Sequence, residues 1–387
     1  MTEIALAHTD LLNSHEAGSC LGLTLAASLS SPPDVVLVFA APTYEHAALL
    51  HALKETCHPR ILLGCSSAGE FTSAISGEGL ACALALRSSE MQFTAGVGRG
   101  LRDQGGQAAE ALVSTFQGQN THVYRYRTAL VFADALAGQM DVLVERLTLL
   151  TAGTYQFAGG GAGDNAQFCS TPVFFGTEVL SDAVVALEIL SNIPLGIGVR
   201  HGWLPVGPAL RVTQADGAKL ISVNAMPAVE VWQMHAEATG QHFDPANALP
   251  FFLHTIIGIT TSSGYRLRVP LSVEPDGSVL CAAEIPVGAT IHLMQTHTLS
   301  ATEAAADALT TALAGLNGAS PGVALFFDCV ATRLRMGDAF GLELQTLHEL
   351  LGSTCYVGCN THGQIARAEG QFNGFHNCTA VVCIIPA

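Results

Sequence analysis

Continuous apolar runs of strand length recur along the chain, and three are followed by stretches in which leucine returns every three or four residues. VVLVFA (35–40), ALVFADA (129–135) and VALFFDC (323–329) have the unbroken apolar character of strands covered on both faces. Behind them come YEHAALLHALKETC (44–57), MDVLVERLTLLTAG (140–153) and GLELQTLHELLG (341–352). In the second of these, Leu143, Leu147 and Leu150 form one buried stripe of a helix. Each helical stretch leads into a second strand that ends in a turn of small residues: ILLGCSSAGEF (61–71), YQFAGGGAGDN (155–165) and CYVGCNTHGQI (355–365). The intervals Phe39 to Gly69, Phe132 to Gly163 and Phe327 to Gly363 are 30, 31 and 36 residues, enough for the strand, crossover helix and parallel strand that need about 30.

The pattern therefore predicts three βαβ units, with Gly69-Glu70, Gly163-Asp164 and Gly363-Gln364 at equivalent turns. The segments beyond the turns repeat too. ACALALRSSEMQFTAGVGRG (81–100) matches AVVALEILSNIPLGIGVRHG (183–202), each reading as two strands, and the third copy supplies TAVVCII (379–385). Between the second and third copies, roughly 208–320, the character changes. Two strands surround Asp216-Gly217, a helix starts near Pro227, alternating strands surround a Pro-Asp-Gly turn at 275–277, and an Ala-rich helix stops at Asn317-Gly318. The expected fold is α/β: duplicated βαβ units forming mixed sheets flanked by helices, with a central α+β insertion. The expected division is 1–210, holding two repeats, and 211–387, holding the central segment and the third repeat.

Composition narrows the function. The 387 residues carry 16 Lys+Arg against 32 Asp+Glu, a net charge of −16, which argues against a nucleic-acid partner. No apolar run approaches the roughly 18 residues of a membrane span, and MTEIALAHTD lacks the basic start of a secretory signal. The 11 cysteines are scattered without zinc-finger spacing, as expected of core residues in a reducing cytosol, so a cytoplasmic location is expected.

GCSSAGEF (64–71), GGGAGD (159–164), HGWLPVGPALRVT (201–213), MPAVEVW (226–232), RVPLSV (268–273), FFDCVATR (326–333), GCNTHGQI (358–365) and FHNCT (375–379) together resemble the FIST family of signal-input proteins, in family order and over nearly the whole chain. The resemblance implies a ligand-sensing module that acts on a partner such as a histidine kinase. It is nearest to the haem-containing, nitric-oxide-responsive members, and so implies haem b as cofactor, a diatomic gas as signal and compatibility with self-association. The last motif departs from the family's aromatic and glutamate pattern, placing Cys359, Asn360, Thr361, His362 and Gln364 there instead.

The site candidates are of three kinds. The glycine turns lack a phosphate-loop register, so they are read as tight turns or as the wall of a small-ligand pocket at the strand ends. Cys65 and Cys359 are read as buried cysteines rather than nucleophiles, and no enzymatic activity is expected. The 15 histidines nearly equal the basic residues in number, and no Cys-x-x-Cys-His is present, so a haem would be held non-covalently by an imidazole. His235 or His242 is the expected iron ligand, with His254 a neighbouring candidate and His201 and His362 in reserve. The alternative is a haem-free sensor of a small metabolite such as an amino acid, with Arg99, Arg200, Arg211, Arg268 and Arg333 as candidate carboxylate clamps.

Overall fold

The computed structural model describes residues 2–121, 123–262, 264–368 and 374–387. Each of the three predicted βαβ units is present with its two strands parallel and in register: Val35–Ala40 beside Ile61–Ser66, Tyr126–Ala133 beside Gln156–Gly161, and Pro321–Cys329 beside Cys355–Thr361. The crossover helices are His46–Cys57, Met140–Leu150 and Gly341–Leu351. The unbroken apolar character of the first strands has a direct cause. Val35, Leu37 and Phe39 point into a central core, while Val36, Val38 and Ala40 point outward beneath helices. Both faces are covered, so neither alternates with polar residues.

Two further strands complete each sheet. An antiparallel leading strand (Thr2–Thr9, Met91–Arg99, Gly196–Arg200) pairs with a closing strand (Ala81–Ser88, Ala183–Ser191, Ala380–Pro386), which in turn pairs with the first strand of the parallel pair. The two strands expected after each of the first two turns thus belong to different sheets, one closing its own unit and the next opening the following one. A second helix joins the crossover helix on the outer face: Ser14–Ser28, Leu101–Val113 and Thr298–Gly315. The Ala-rich helix of the central segment is therefore the missing helix of the third unit.

The units are tied into a ring by exchanged hairpins. Glu70–Thr72 with Ser76–Gly77 leaves unit one and extends the sheet of unit three. Gln364–Arg367 with Gly374–His376 leaves unit three for unit two, and Val173–Phe175 with Glu178–Leu180 leaves unit two for unit one. On the axis of this pseudo-threefold ring Phe39, Phe132 and Phe327 meet edge to face, with centroids 5.5, 5.8 and 5.7 Å apart.

The three turns at the strand ends also close on one another. Ala68 N donates to Asn360 O (2.9 Å), His362 N to Gly161 O (3.0 Å) and Gly163 N to Ser66 O (2.9 Å). These bonds correct the expected register by one residue: Gly163 stands where Ala68 and His362 stand, not with Gly69 and Gly363. Glu70 and Gln364 enter their hairpins at once, whereas unit two runs through 164–172 before its hairpin begins at Val173. Gly69 (φ 128°) and Gly363 (φ 87°) hold conformations that favour glycine. Gly163 is constrained by space instead, since a Cβ there would lie 2.8 Å from the Ala68 Cβ.

The insertion lies between the leading strand Gly196–Arg200 and the helix Thr298–Gly315, as an eight-stranded antiparallel layer with its own core around Trp232 and Phe252. Its first strand is Leu204–Asp216, so a division of the chain at 210 falls inside a strand. Arg268 anchors the insertion to the ring. Only 1% exposed, it pairs with Asp141 of unit two (2.7 Å) and donates to the Phe375 carbonyl (3.0 Å).

Candidate functional site

The C-terminal ends of parallel strands are where open α/β sheets take ligands, and here the ring of turns places two clefts at related positions. Each lies between a donor turn and the segment beyond the recipient unit's first parallel strand. Between units one and three, the donor turn brings Glu70, the recipient strand brings Asn360, and the helix Val330–Met336 brings Arg333. Together with Phe71, Phe340 and Leu344 they line a cleft of about 460 Å³.

Asn360 is 1% exposed, yet neither its amide oxygen nor its amide nitrogen has a hydrogen-bond partner. The Arg333 Nε is likewise buried without a partner, while its Nη1 pairs with Glu78 at the cleft mouth. Room for both side chains comes from Gly69: a Cβ there would lie 2.7 Å from the Asn360 amide oxygen and 3.3 Å from Arg333. Glu70 is fully buried. Its carboxylate accepts from the Ser67 hydroxyl (2.6 Å) and the Leu80 N–H (2.9 Å), and burial raises its pKa from the ordinary 4.5 to about 7.

At the related position between units three and two, Gln364 replaces Glu70 with the same kinds of partner. Its Nε2 donates to the Thr361 hydroxyl (2.9 Å) and its Oε1 accepts from the Thr379 N–H (3.3 Å). Leu136, on the 3-10 turn Ala135–Ala137, occupies the place of the Val330–Met336 helix. The resulting cavity, about 230 Å³, is roofed by Leu253, Val269 and Leu271 of the insertion and holds His362. Burial lowers the pKa of His362 to about 4, leaving the imidazole neutral.

The histidines expected to hold haem are dispersed. His235 is half-buried on the helix Ala228–Thr239 and meets the Gln295 amide (3.1 Å). That helix stops at Gly240 in a left-handed cap (φ 68°), so His242 does not share its face and lies exposed. His242 and His254 rim an open depression of about 490 Å³ with Asp244 and no basic residue. His201 is held by the Tyr265 carbonyl (3.1 Å) and the Trp203 N–H (3.3 Å). A haem needs an apolar slot, a free imidazole nitrogen and cations for its propionates. Of these candidates, His362 combines an apolar cavity with ring nitrogens that have no hydrogen-bond partner, but no Lys or Arg lines that cavity and its volume is below the roughly 300 Å³ of small drug-sized pockets. The residues present do not fit the macrocycle. No group of three or more His, Cys, Asp or Glu is placed to hold a metal ion among the described residues.

Of the five candidate clamps, Arg333 lines a cleft at the ring. Arg268 is spent on Asp141, Arg99 pairs with Glu178 at the surface (2.7 Å), Arg200 donates to the Thr311 hydroxyl (3.1 Å), and Arg211 is exposed on the insertion. Cys65 and Cys359 are fully buried, and burial pushes the Cys359 thiol well above its ordinary pKa, which disfavours a thiolate. Sequence reading missed Asn360 and Glu70 as site residues. Their signal was present in the turn motifs, but only the exchanged hairpin brings Glu70 of unit one beside a strand of unit three. All 11 cysteines are free, and no helix among the described residues is long and apolar enough to cross a membrane.

Comparison with known proteins places residues 34–226 on the FIST N domain and residues 228–367 on the FIST C domain. No curated protein matches the chain. Among solved structures, cyanuric acid hydrolase from A. caulinodans aligns at 8% identity over 99% of both chains with a TM-score of 0.34. PurLQS from Thermotoga maritima aligns at 10% identity over 99% of this chain and 72% of that one, with a TM-score of 0.24. At those scores neither likeness bears on the architecture or the chemistry.

Proposed function

The chain belongs to the FIST family, whose domains mark small-ligand-sensing signalling proteins, and from that premise we propose that it senses an amino acid bound in the cleft between units one and three. The observation that carries the reading is the buried Asn360 amide, unpartnered at both ends, facing the same cleft as Arg333. A ligand carboxylate would take the Arg333 guanidinium from Glu78, and the Asn360 amide would supply a further donor and acceptor. The Glu70 carboxylate, poised near neutrality, would face the ligand's ammonium group. Displacing Glu78 frees the end of the exchanged hairpin, which gives ligand binding a route to the surface. Output by contact with a partner, a histidine kinase being the class suggested by the family, completes the proposal, as does a non-enzymatic role in the cytoplasm.

Isothermal titration of the purified chain with each of the twenty amino acids tests it. The expected result is saturable binding of one or a few, weakened at least about tenfold in Arg333→Met. Absence of any binding would overturn the reading. A Soret band that survives purification and moves on adding nitric oxide would replace it with the haem reading.

A further inference from the structure

The second cavity has a chemistry that the amino-acid reading does not use. Its walls are mostly apolar, with Leu136, Leu253, Val269, Leu271, Val330 and Leu334, no Asp, Glu, Lys or Arg lines it, and the Asn377 amide at its edge is engaged by the Val269 N–H and the His376 carbonyl. His362 faces this space with its side chain 6% exposed, and both ring nitrogens are buried without a hydrogen-bond partner. Its nearest charged neighbour is Asp164, whose Oδ1 is 3.5 Å from Nε2. That carboxylate is already engaged by four backbone N–H groups, those of Gln167, Phe168, Cys169 and Ser170, at 2.6–3.1 Å. A buried imidazole with two idle nitrogens is costly unless something meets it.

The loop pinned by Asp164 supplies the rest of the wall. Asn165, Ala166 and Phe168 are all left-handed, with φ of 55°, 59° and 53°, a strained run for residues with side chains. The strain delivers Ala166 and Phe168 to the cavity, with the Phe168 ring 5.1 Å from the His362 ring. Two rings side by side at the rim of an apolar space favour a flat guest.

We infer that this cavity is a second ligand site, taking a small, uncharged, flat and mostly apolar molecule whose single hydrogen-bonding group meets the His362 imidazole. An N–H or O–H of the guest donates to one ring nitrogen, and the neutral tautomer keeps the other as a donor. A charged guest is disfavoured because the cavity has nothing to pair with it. The helix Val330–Met336 presents Val330, Ala331 and Leu334 to this cavity and Arg333 to the polar cleft, so the two sites share one wall.

Indole is a suitable probe, with indene as the same shape lacking the N–H. Ligand-observed NMR and thermal shift on the full chain should show saturable indole binding, with a Kd below about 1 mM. His362→Leu should weaken indole at least about tenfold while leaving indene unchanged. Leu136→Trp, which fills the cavity, should expel both, and Leu271→Trp repeats the test from another wall should the first variant fail to fold. Arg333→Met should leave both untouched, which separates this site from the amino-acid cleft. The inference is overturned if indole gives no saturable signal, if its binding survives both tryptophan variants, or if His362→Leu weakens indene as much as indole.

Discussion

The clefts on either side of unit three occupy related places in a triplicated ring, yet one is polar and the other apolar. The difference lies in three substitutions of position and one added layer. At the ring positions of Asn360, Arg333 and Glu70, which line the first, stand Gly161, Leu136 and Gln364, of which Leu136 lines the second. The insertion then covers the second with Leu253, Val269 and Leu271, whereas the first has no lining residue from it. Glu70 and Gln364 make the comparison sharp, because each has a hydroxyl partner and a backbone N–H partner, and the two differ in charge and in the direction of the hydroxyl bond, which Ser67 donates to Glu70 and Thr361 accepts from Gln364. Triplication fixed where the clefts lie; the side chains at a few ring positions fixed what each can hold.

The largest effect should come from breaking what the units have in common. Phe39→Ala, Phe132→Ala and Phe327→Ala each remove one ring from the axial cluster and should each cost about 3–5 kcal/mol in denaturant unfolding. Comparable losses at all three positions are expected; one cost below about 1 kcal/mol would mean that the axis is not shared equally.

Next comes the charge that separates the clefts. Glu70 keeps its proton in the folded chain up to about pH 7 but would release it near 4.5 when unfolded. Its contribution to stability is therefore full below pH 4.5 and is lost as pH rises through 7, by about 3 kcal/mol. Gln364 shows that a neutral amide serves at this position, so Glu70→Gln should fold. Unfolding free energies of the two proteins should diverge across that pH window, the variant gaining relative to the wild type as pH rises, and parallel curves would refute the raised pKa.

A smaller effect is expected from exchanging ligand contacts. Asn360→Leu takes the amide out of the polar cleft and should weaken amino-acid binding by about 1–2 kcal/mol while leaving stability near that of the wild type, since it removes an amide that has no partner. Calorimetry beside thermal unfolding reads both. A large loss of stability would show that the amide has a structural role.

The smallest change is at the cleft mouth. Glu78 is more than half exposed, so its pairing with Arg333 should be worth under about 1 kcal/mol, and Glu78→Gln should barely move the melting temperature. The same variant should tighten amino-acid binding by a few-fold, because the ligand no longer competes for the guanidinium. Weaker binding would place Glu78 among the ligand's own contacts.

Much of this molecule was determined by local sequence. Apolar runs, leucine periodicity and small-residue turns specify the three βαβ units, because a strand covered on both faces and a helix with one buried stripe each leave a pattern within a dozen residues. The Pro-Asp-Gly and Asn317-Gly318 stops of the central segment are legible for the same reason. The tertiary structure alone decided everything that joins units. The hairpin exchange puts Glu70 beside Asn360, distant in the chain, and no periodicity records a pairing between sheets. The one-residue offset of Gly163 was invisible because glycines serve two purposes, a left-handed φ at Gly69 and close packing at Gly163, and a motif prints both with the same letter. Histidine richness, finally, is a property of composition, whereas a site depends on which side chains converge. His235, His242 and His201 spread over the insertion and its edge, whereas His362 reaches an apolar cavity, because it sits on a turn of the ring where the insertion forms a roof.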